Sequence, residues 1–242
     1  MIPKIIHFCW LSGDEYPEKI KYCIDSWRKK LPDYEIWLWD LKRFDIDSSL
    51  WCKEAFSVKK YAFAADYIRF FALYNYGGIY LDSDVEVIKP FDDLLDLPYF
   101  IGKERASNLE PAIMGSEKGW PLMKDMITYY DNRSFILPDG SYDMLTCPVV
   151  MDNIVKKTMQ YNVIESKKDY RVSPDVLNVF DASFFSPKYS KNPNIEITDD
   201  TYSIHHFEAS WYPVDKRVYR WIYRVLGTKC ASFASKLYHS IF

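Results

Sequence analysis

Gly77-Gly78-Ile79-Tyr80-Leu81-Asp82-Ser83-Asp84-Val85-Glu86 is the stretch on which the reading of the fold turns. Two glycines stop whatever precedes them, and residues 79–88 then read as a strand that Lys89-Pro90 ends. Extended, the segment puts Ile79, Leu81, Ser83, Val85 and Val87 on one face and Tyr80, Asp82, Asp84 and Glu86 on the other. Asp82 and Asp84 would stand roughly 6–7 Å apart at the strand end. Their repulsion, about 2.5 kcal/mol at an effective dielectric of 20, is relieved if a cation sits between them. Hard carboxylate oxygens suit Mg²⁺ or Mn²⁺, and such an ion can bridge a diphosphate and neutralise the charge that grows as it leaves. An isolated Asp-x-Asp is common in surface turns. This one follows an apolar strand, where an unpaired acid is costly, and strand ends in α/β sheets are where ligands bind.

Upstream, residues 57–75 read as one helix, with Ser57 as N-cap and Gly77-Gly78 as the stop. It is apolar around most of its circumference, which predicts burial. Asp66 and Arg69 lie three apart on one face of it. They read either as an ion pair that only satisfies itself, or as a polar pair aimed into the same cleft, where Arg69 can meet phosphate charge. Residues 4–10 (KIIHFCW) and 34–39 (YEIWLW) read as strands, and Pro17 opens a helix to about Lys30. Strand, helix, strand is the start of an α/β sheet with parallel strands.

Downstream, residues 92–97 form a short turn or helix, 120–130 and 151–161 read as helices, and 201–207 as a late strand. In that strand His205 and His206 point to opposite faces, so at most one easily reaches a given site. A lone histidine is more often structural than a ligand, and the choice between these two stays open on the residues alone.

The chain has 242 residues, enough for one domain with a sizeable core. Apolar residues make up 48% and charged residues 27%, as in a soluble globular protein. The aromatic share of 18% suits stacking on sugars and bases, and equally a wide apolar core. A formal charge of -3 excludes a globally basic nucleic-acid binder. Five cysteines with no C-x-x-C indicate neither a disulfide framework nor a zinc-cysteine site. Met1-Ile2-Pro3-Lys4 leads into a strand-like run and not a signal peptide, and no apolar stretch is long enough to span a membrane. The expected compartment is therefore the reducing cytoplasm. From Asp215 onward, Lys216, Arg217, Arg220, Arg224, Lys229 and Lys236 are interleaved with apolar residues. This predicts a catalytic domain over residues 1–214 and a helical tail over 215–242. Such a basic amphipathic helix either lies on an anionic membrane surface, at the inner face of the plasma membrane, or packs on the domain.

Three blocks together, KIIHFCW (4–10), YAFAADYIRFFALYNYGGIYLDSDVEVIKP (61–90) and IHHFEASW (204–211), resemble glycosyltransferase family 32. That family of DxD-motif sugar-transferases includes bacterial capsule and lipopolysaccharide enzymes and yeast mannosyltransferases. The resemblance spans about residues 2–211, and its central block is highly specific. The Asp-x-x-Arg and Asp-x-Asp order is also similar to that of the glucosyltransferase domain of large clostridial toxins. The resemblance implies an α/β GT-A fold, a Rossmann-like nucleotide-binding sheet with flanking helices. It further implies a UDP-sugar or other nucleotide-sugar donor, a divalent cation (Mn²⁺ or Mg²⁺), and retention of anomeric configuration. By position it implies that Asp84 binds the metal and that Asp82 contacts metal, ribose or sugar. Asp66 and Arg69 would hold the donor sugar, and these four residues form the catalytic set. Phe8, Cys9 and Trp10 would line the base pocket, with Trp10 stacking on uracil. His205 would join Asp82 and Asp84 on the metal, and Ser210 and Trp211 would close over the diphosphate. One departure is Thr146-Cys147-Pro148, where many relatives have Thr-Gly-Pro.

The resulting expectation is a hexosyltransferase serving surface polysaccharide synthesis, with a glycan or lipid-linked oligosaccharide as acceptor. Front-face displacement is the expected route, because no residue stands out as a covalent nucleophile. Phosphatases of the haloacid dehalogenase class also place Asp-x-Asp after an apolar strand. They normally carry Thr or Val two residues after the second Asp, where this chain has Glu86. A non-catalytic carbohydrate-binding domain of the same fold would not need Asp66, Arg69, Asp82, Asp84 and His205 together.

Overall fold

Nine short strands and six helices carry the described part of the chain; the computed structural model describes residues 1–104, 109–188 and 195–208. The first unit is β1 (Ile5–Cys9), α1 (Glu18–Lys30) and β2 (Glu35–Trp39), with β1 and β2 parallel as their spacing predicts. Two helices follow, α2 (Leu50–Ser57) and α3 (Tyr61–Tyr76), and lead into β3 (Gly78–Leu81), which pairs parallel to β1 on its other side. The strand order 2-1-3 therefore reverses direction at β1, and the carboxyl ends of β1 and β3 flank the switch point where such sheets bind ligands.

Beyond β3 the sheet becomes mixed. After β4 (Val85–Val87) come β5 (Tyr99–Lys103), β6 (Leu109–Ser116), α4 (Pro121–Tyr130), α5 (Cys147–Thr158), β7 (Gln160–Ile164), β8 (Val176–Phe180), α6 (Ala182–Phe185) and β9 (Ser203–His205). The seven-stranded sheet has the order β2-β1-β3-β6-β5-β8-β7, with β6 antiparallel to both of its neighbours. A separate ribbon pairs β4 with β9 antiparallel. The α/β expectation is met by this sheet and its flanking helices.

Three expected elements differ in the structure. The helix predicted over residues 151–161 is α5, which starts at Cys147 behind Thr146 and ends at Thr158, and residues 160–161 open β7 instead. The helix predicted over residues 57–75 is two helices, and Ser57 is the last residue of α2, its hydroxyl donating back to the Glu54 carbonyl at 2.7 Å. Ser49 is the cap there, accepting from the Cys52 amide. Lys59 adopts a positive φ of 59°, a conformation that a helix cannot continue through. The strand predicted over 79–88 is also broken. The Val85 amide donates to the Asp82 carbonyl at 3.0 Å, so Asp82-Ser83-Asp84 is a turn joining two sheets and not an extended run. Strict alternation therefore does not carry through the motif. The carboxylates converge because the chain turns.

Gly77 and Gly78 are required where they stand. Their φ angles are 67° and 105°, and a Cβ on Gly78 would lie 2.7 Å from the Ile5 carbonyl oxygen. The aromatic excess is largely core: Trp27, Trp39 and Trp51 are almost fully buried, each with its indole N–H hydrogen-bonded. Cys9, Cys23, Cys52 and Cys147 are free thiols. Among the described residues, no helix is long and apolar enough to cross a membrane. The tail expected over 215–242, and its boundary at 214, lie outside the described residues.

Candidate metal and donor site

Asp82 leaves β3 with its amide bonded to the Ala112 carbonyl at 2.8 Å, which fixes the start of the turn against β6. The far end of the turn is fixed by α1, where the Trp27 indole donates to the Val85 carbonyl at 2.7 Å and Ser26 Oγ accepts from the Val87 amide at 2.9 Å. β9 then brings His205 opposite Val85 in the ribbon. Asp82, Asp84 and His205 each offer a ligand atom, and these atoms lie within 4.8 Å of one another. Opposite ligands on an octahedral Mg²⁺-sized ion stand about 4.2 Å apart and neighbouring ones about 3 Å. His205 Nε2 is 3.4 Å from Asp84 Oδ1, so the donor set fits a divalent cation with a few tenths of an ångström of adjustment.

The structure separates the two histidines. His205 faces Asp84, whereas His206 turns away to Glu86 Oε2 at 2.8 Å, whose other oxygen accepts from Tyr22. Asp84 is further held by the Glu208 amide, which donates to Oδ2 at 2.8 Å. Burial pushes the Asp84 carboxyl upward, but His205 and these hydrogen bonds outweigh it and bring it down to about 2. Burial lowers His205, and Asp84 and Glu110 more than offset this, so the ring sits well above the ordinary histidine range.

Asp66 and Arg69 project from buried positions on α3 into the same cluster. Arg69 donates to Asp66 Oδ1 at 2.8 Å and to the Pro111 carbonyl at 2.9 Å, and its guanidinium reaches Asp82 Oδ1 at 3.4 Å. The guanidinium also lies over the Tyr80 ring, and the Tyr80 hydroxyl donates to Asp82 Oδ1 at 3.0 Å. The pair thus braces the Asp-x-Asp turn through the two terminal nitrogens of the guanidinium, while the buried Arg69 Nε has no hydrogen-bond partner among the described residues. Burial pushes the Asp66 carboxyl up to about 7, with Arg69 opposing and Asp82 reinforcing the shift. Burial likewise raises Asp82, against the pull of Arg69 and with the push of Asp84.

At the end of β1 the three expected pocket residues part company. Phe8 is buried against Trp27 with ring centroids 5.2 Å apart, a core position. Cys9 lies toward Tyr80 and Arg69, its thiol pushed up to about 12 by burial. Trp10 is half-buried beside Tyr16, with its indole N–H donating to the Asp14 carbonyl. Ser210 and Trp211 lie outside the described residues. Cys147, at the departure from Thr-Gly-Pro, is the first residue of α5 and is buried near Asp66. Two acids beside His205 were missed, Glu104, which burial and then Glu110 push up to about 7 against the pull of His205, and Glu110. Glu110 stands in β6, is 1% exposed, and its Oε2 is 3.3 Å from His205 Nδ1. Its only signal in the sequence is an acid within the apolar run Leu109-Glu110-Pro111-Ala112-Ile113-Met114.

Residues 17–101 match the family model described as a glycosyltransferase sugar-binding region containing a DXD motif. That segment holds two Asp-x-Asp triplets. Asp45-Ile46-Asp47 serves a local turn, with Asp45 accepting from the Asp47 amide and Asp47 paired with Lys53. Asp82-Ser83-Asp84 is the one that meets His205. Inositol phosphoceramide mannosyltransferase 3 of Schizosaccharomyces pombe is 37% identical over 134 residues, covering 52% of this chain and 36% of the relative. Mannosyl phosphorylinositol ceramide synthase SUR1 of Saccharomyces cerevisiae is 29% identical over 196 residues, covering 77% of this chain and 50% of the relative. The chain thus spans half or less of the length of these two relatives. They are fungal mannosyltransferases and not of the bacterial capsular type that was expected. The solved structure of the PaToxG glycosyltransferase is similar at a TM-score of 0.49 and 20% identity, over 64% of this chain and 69% of that one.

Proposed function

We propose that this chain is a metal-dependent glycosyltransferase that moves a hexose from a nucleoside-diphosphate sugar to a glycan or lipid-linked acceptor. The observation that carries the reading is the convergence of Asp82 and Asp84, from the turn between β3 and β4, with His205 of β9, beside the switch point of the sheet. Sheltered carboxylates outnumber the cationic partners in this cluster, and a divalent cation offsets the imbalance. Bound there, Mn²⁺ or Mg²⁺ would supply Lewis-acid stabilisation of the departing diphosphate. Asp66 and Arg69 would then hold the donor sugar, and Trp10, half-buried at the end of β1, would stack on the base. Front-face displacement, the route expected from the sequence, is part of this reading. The names of the fungal relatives give weight to mannose, so GDP-mannose, which the sequence leaves open, stands beside the favoured UDP-hexoses. A GT-A assignment, retention of configuration and a peripheral membrane location belong to the same reading.

The test is donor hydrolysis and transfer with Mn²⁺ across UDP-glucose, UDP-galactose, their N-acetyl forms and GDP-mannose. Turnover of one donor, abolished by EDTA and by Asp84→Asn in a protein that stays folded, is the expected result. Inactivity across the whole panel, or unchanged turnover in Asp84→Asn, would refute it.

A further inference from the structure

We propose that Glu110 is the positioning residue that presents His205 to the cation, an inference that rests on the metal reading above. A neutral imidazole that ligates through Nε2 carries its proton on Nδ1, and that proton needs an acceptor that fixes both tautomer and ring orientation. His205 Nε2 faces Asp84 Oδ1 at 3.4 Å, and Nδ1 faces Glu110 Oε2 at 3.3 Å, so the two ring nitrogens have separate carboxylate partners. Glu110 is itself held. Its Oε1 accepts from the Ala112 amide at 3.2 Å, and its Oε2 accepts from Ser186 Oγ at 3.2 Å. Those anchors come from β6 and from the residue after α6, elements separate from the ribbon that carries His205. The Phe207 ring lies 4.0 Å from the imidazole, centroid to centroid, and limits its rotation. A carboxylate buried to 1% exposure is costly unless it is partnered. Here its partners are two local anchors and the back of a ligand histidine.

The experiment is an EPR titration of Mn²⁺ against the full chain at one pH, with folding checked by circular dichroism. Wild type, Glu110→Leu, Glu110→Gln, His205→Ala and both Glu110 variants in the His205→Ala background are compared. Glu110→Leu should weaken Mn²⁺ binding about 10–100-fold. Glu110→Gln, whose amide oxygen still accepts the Nδ1 proton, should weaken it several-fold less. With His205 already removed, neither Glu110 change should cost further affinity, because the coupling runs through the ring. Equal losses in both backgrounds would show a general charge effect and overturn the proposal, as would wild-type affinity in the leucine variant. If the leucine variant fails to fold, the glutamine variant read in both backgrounds decides the same question. Absence of Mn²⁺ binding in the wild type would remove the metal reading itself, and Glu110's role with it. Binding that is indifferent to Glu110 would remove only the latter.

Discussion

Arg69 shows how a residue can be legible in type and not in task. Its spacing from Asp66 was visible in the sequence, but its reach to Asp82 and to the Pro111 carbonyl depends on β3 and β6 lying side by side. A guanidinium fork serves these partners at once, and a lysine ammonium on a flexible stem cannot reproduce that geometry. Arg69→Lys should therefore destabilise the fold by about 1–3 kcal/mol through partners left unsatisfied in the interior. Urea unfolding measures this, and an unchanged midpoint would mean that the arginine is not bracing the turn. Glu110 is the opposite case. Its place in an apolar run hints at burial, but nothing local says what it faces, since its partner lies 95 positions away.

At the scale of the element, β1 is built around a histidine that must stay neutral. His7 is fully buried, with Nε2 at 2.7 Å from the Gly77 carbonyl and Nδ1 at 3.1 Å from the Trp39 indole nitrogen. The indole can only donate, so Nδ1 accepts and the proton sits on Nε2. This ties β1 to β2 and to the glycine turn that launches β3. Burial depresses His7 to about 4. The unfolded chain takes up the proton near pH 6.5 and the native chain does not, so this stability is present in full above about 6.5 and is lost as pH falls toward 4. The loss amounts to about 3 kcal/mol relative to a His7→Gln variant over the same range. Urea midpoints of both proteins at pH 7 and pH 4 check it, and parallel pH dependences would contradict it. The strands and helices of this first half were largely readable, because each is short, apolar and bounded by Gly, Pro or a cap. The errors fell at 57–60 and 82–84, where one apolar pattern ran across a break. Periodicity reports burial, and burial continues through a turn that is itself inside.

Over the whole molecule, the candidate site joins two sheets. Asp82 ends a strand of the seven-stranded sheet, and Asp84 and His205 belong to or adjoin the small ribbon. A cation held by all three would cross-link them, and ligands that bind only the native state raise its stability by mass action. Mn²⁺ at about 100 times its dissociation constant should add about 2.7 kcal/mol, or about 5–10 °C in Tm for a chain of this size. Asp84→Asn should remove the shift, and calorimetry with and without EDTA reads both. A wild-type Tm indifferent to Mn²⁺ would deny the cross-link. By itself the sequence determined the α/β class, the parallel first strands, the buried Asp66–Arg69 pair and the acid pair beyond the end of β3, because these follow from local pattern and from the cost of burying charge. Only the tertiary structure decided that the motif is a turn, that His205 and not His206 meets Asp84, and that Glu110 stands behind the ring. Those choices depend on strand pairing between distant segments, and no local pattern encodes which distant strand will arrive.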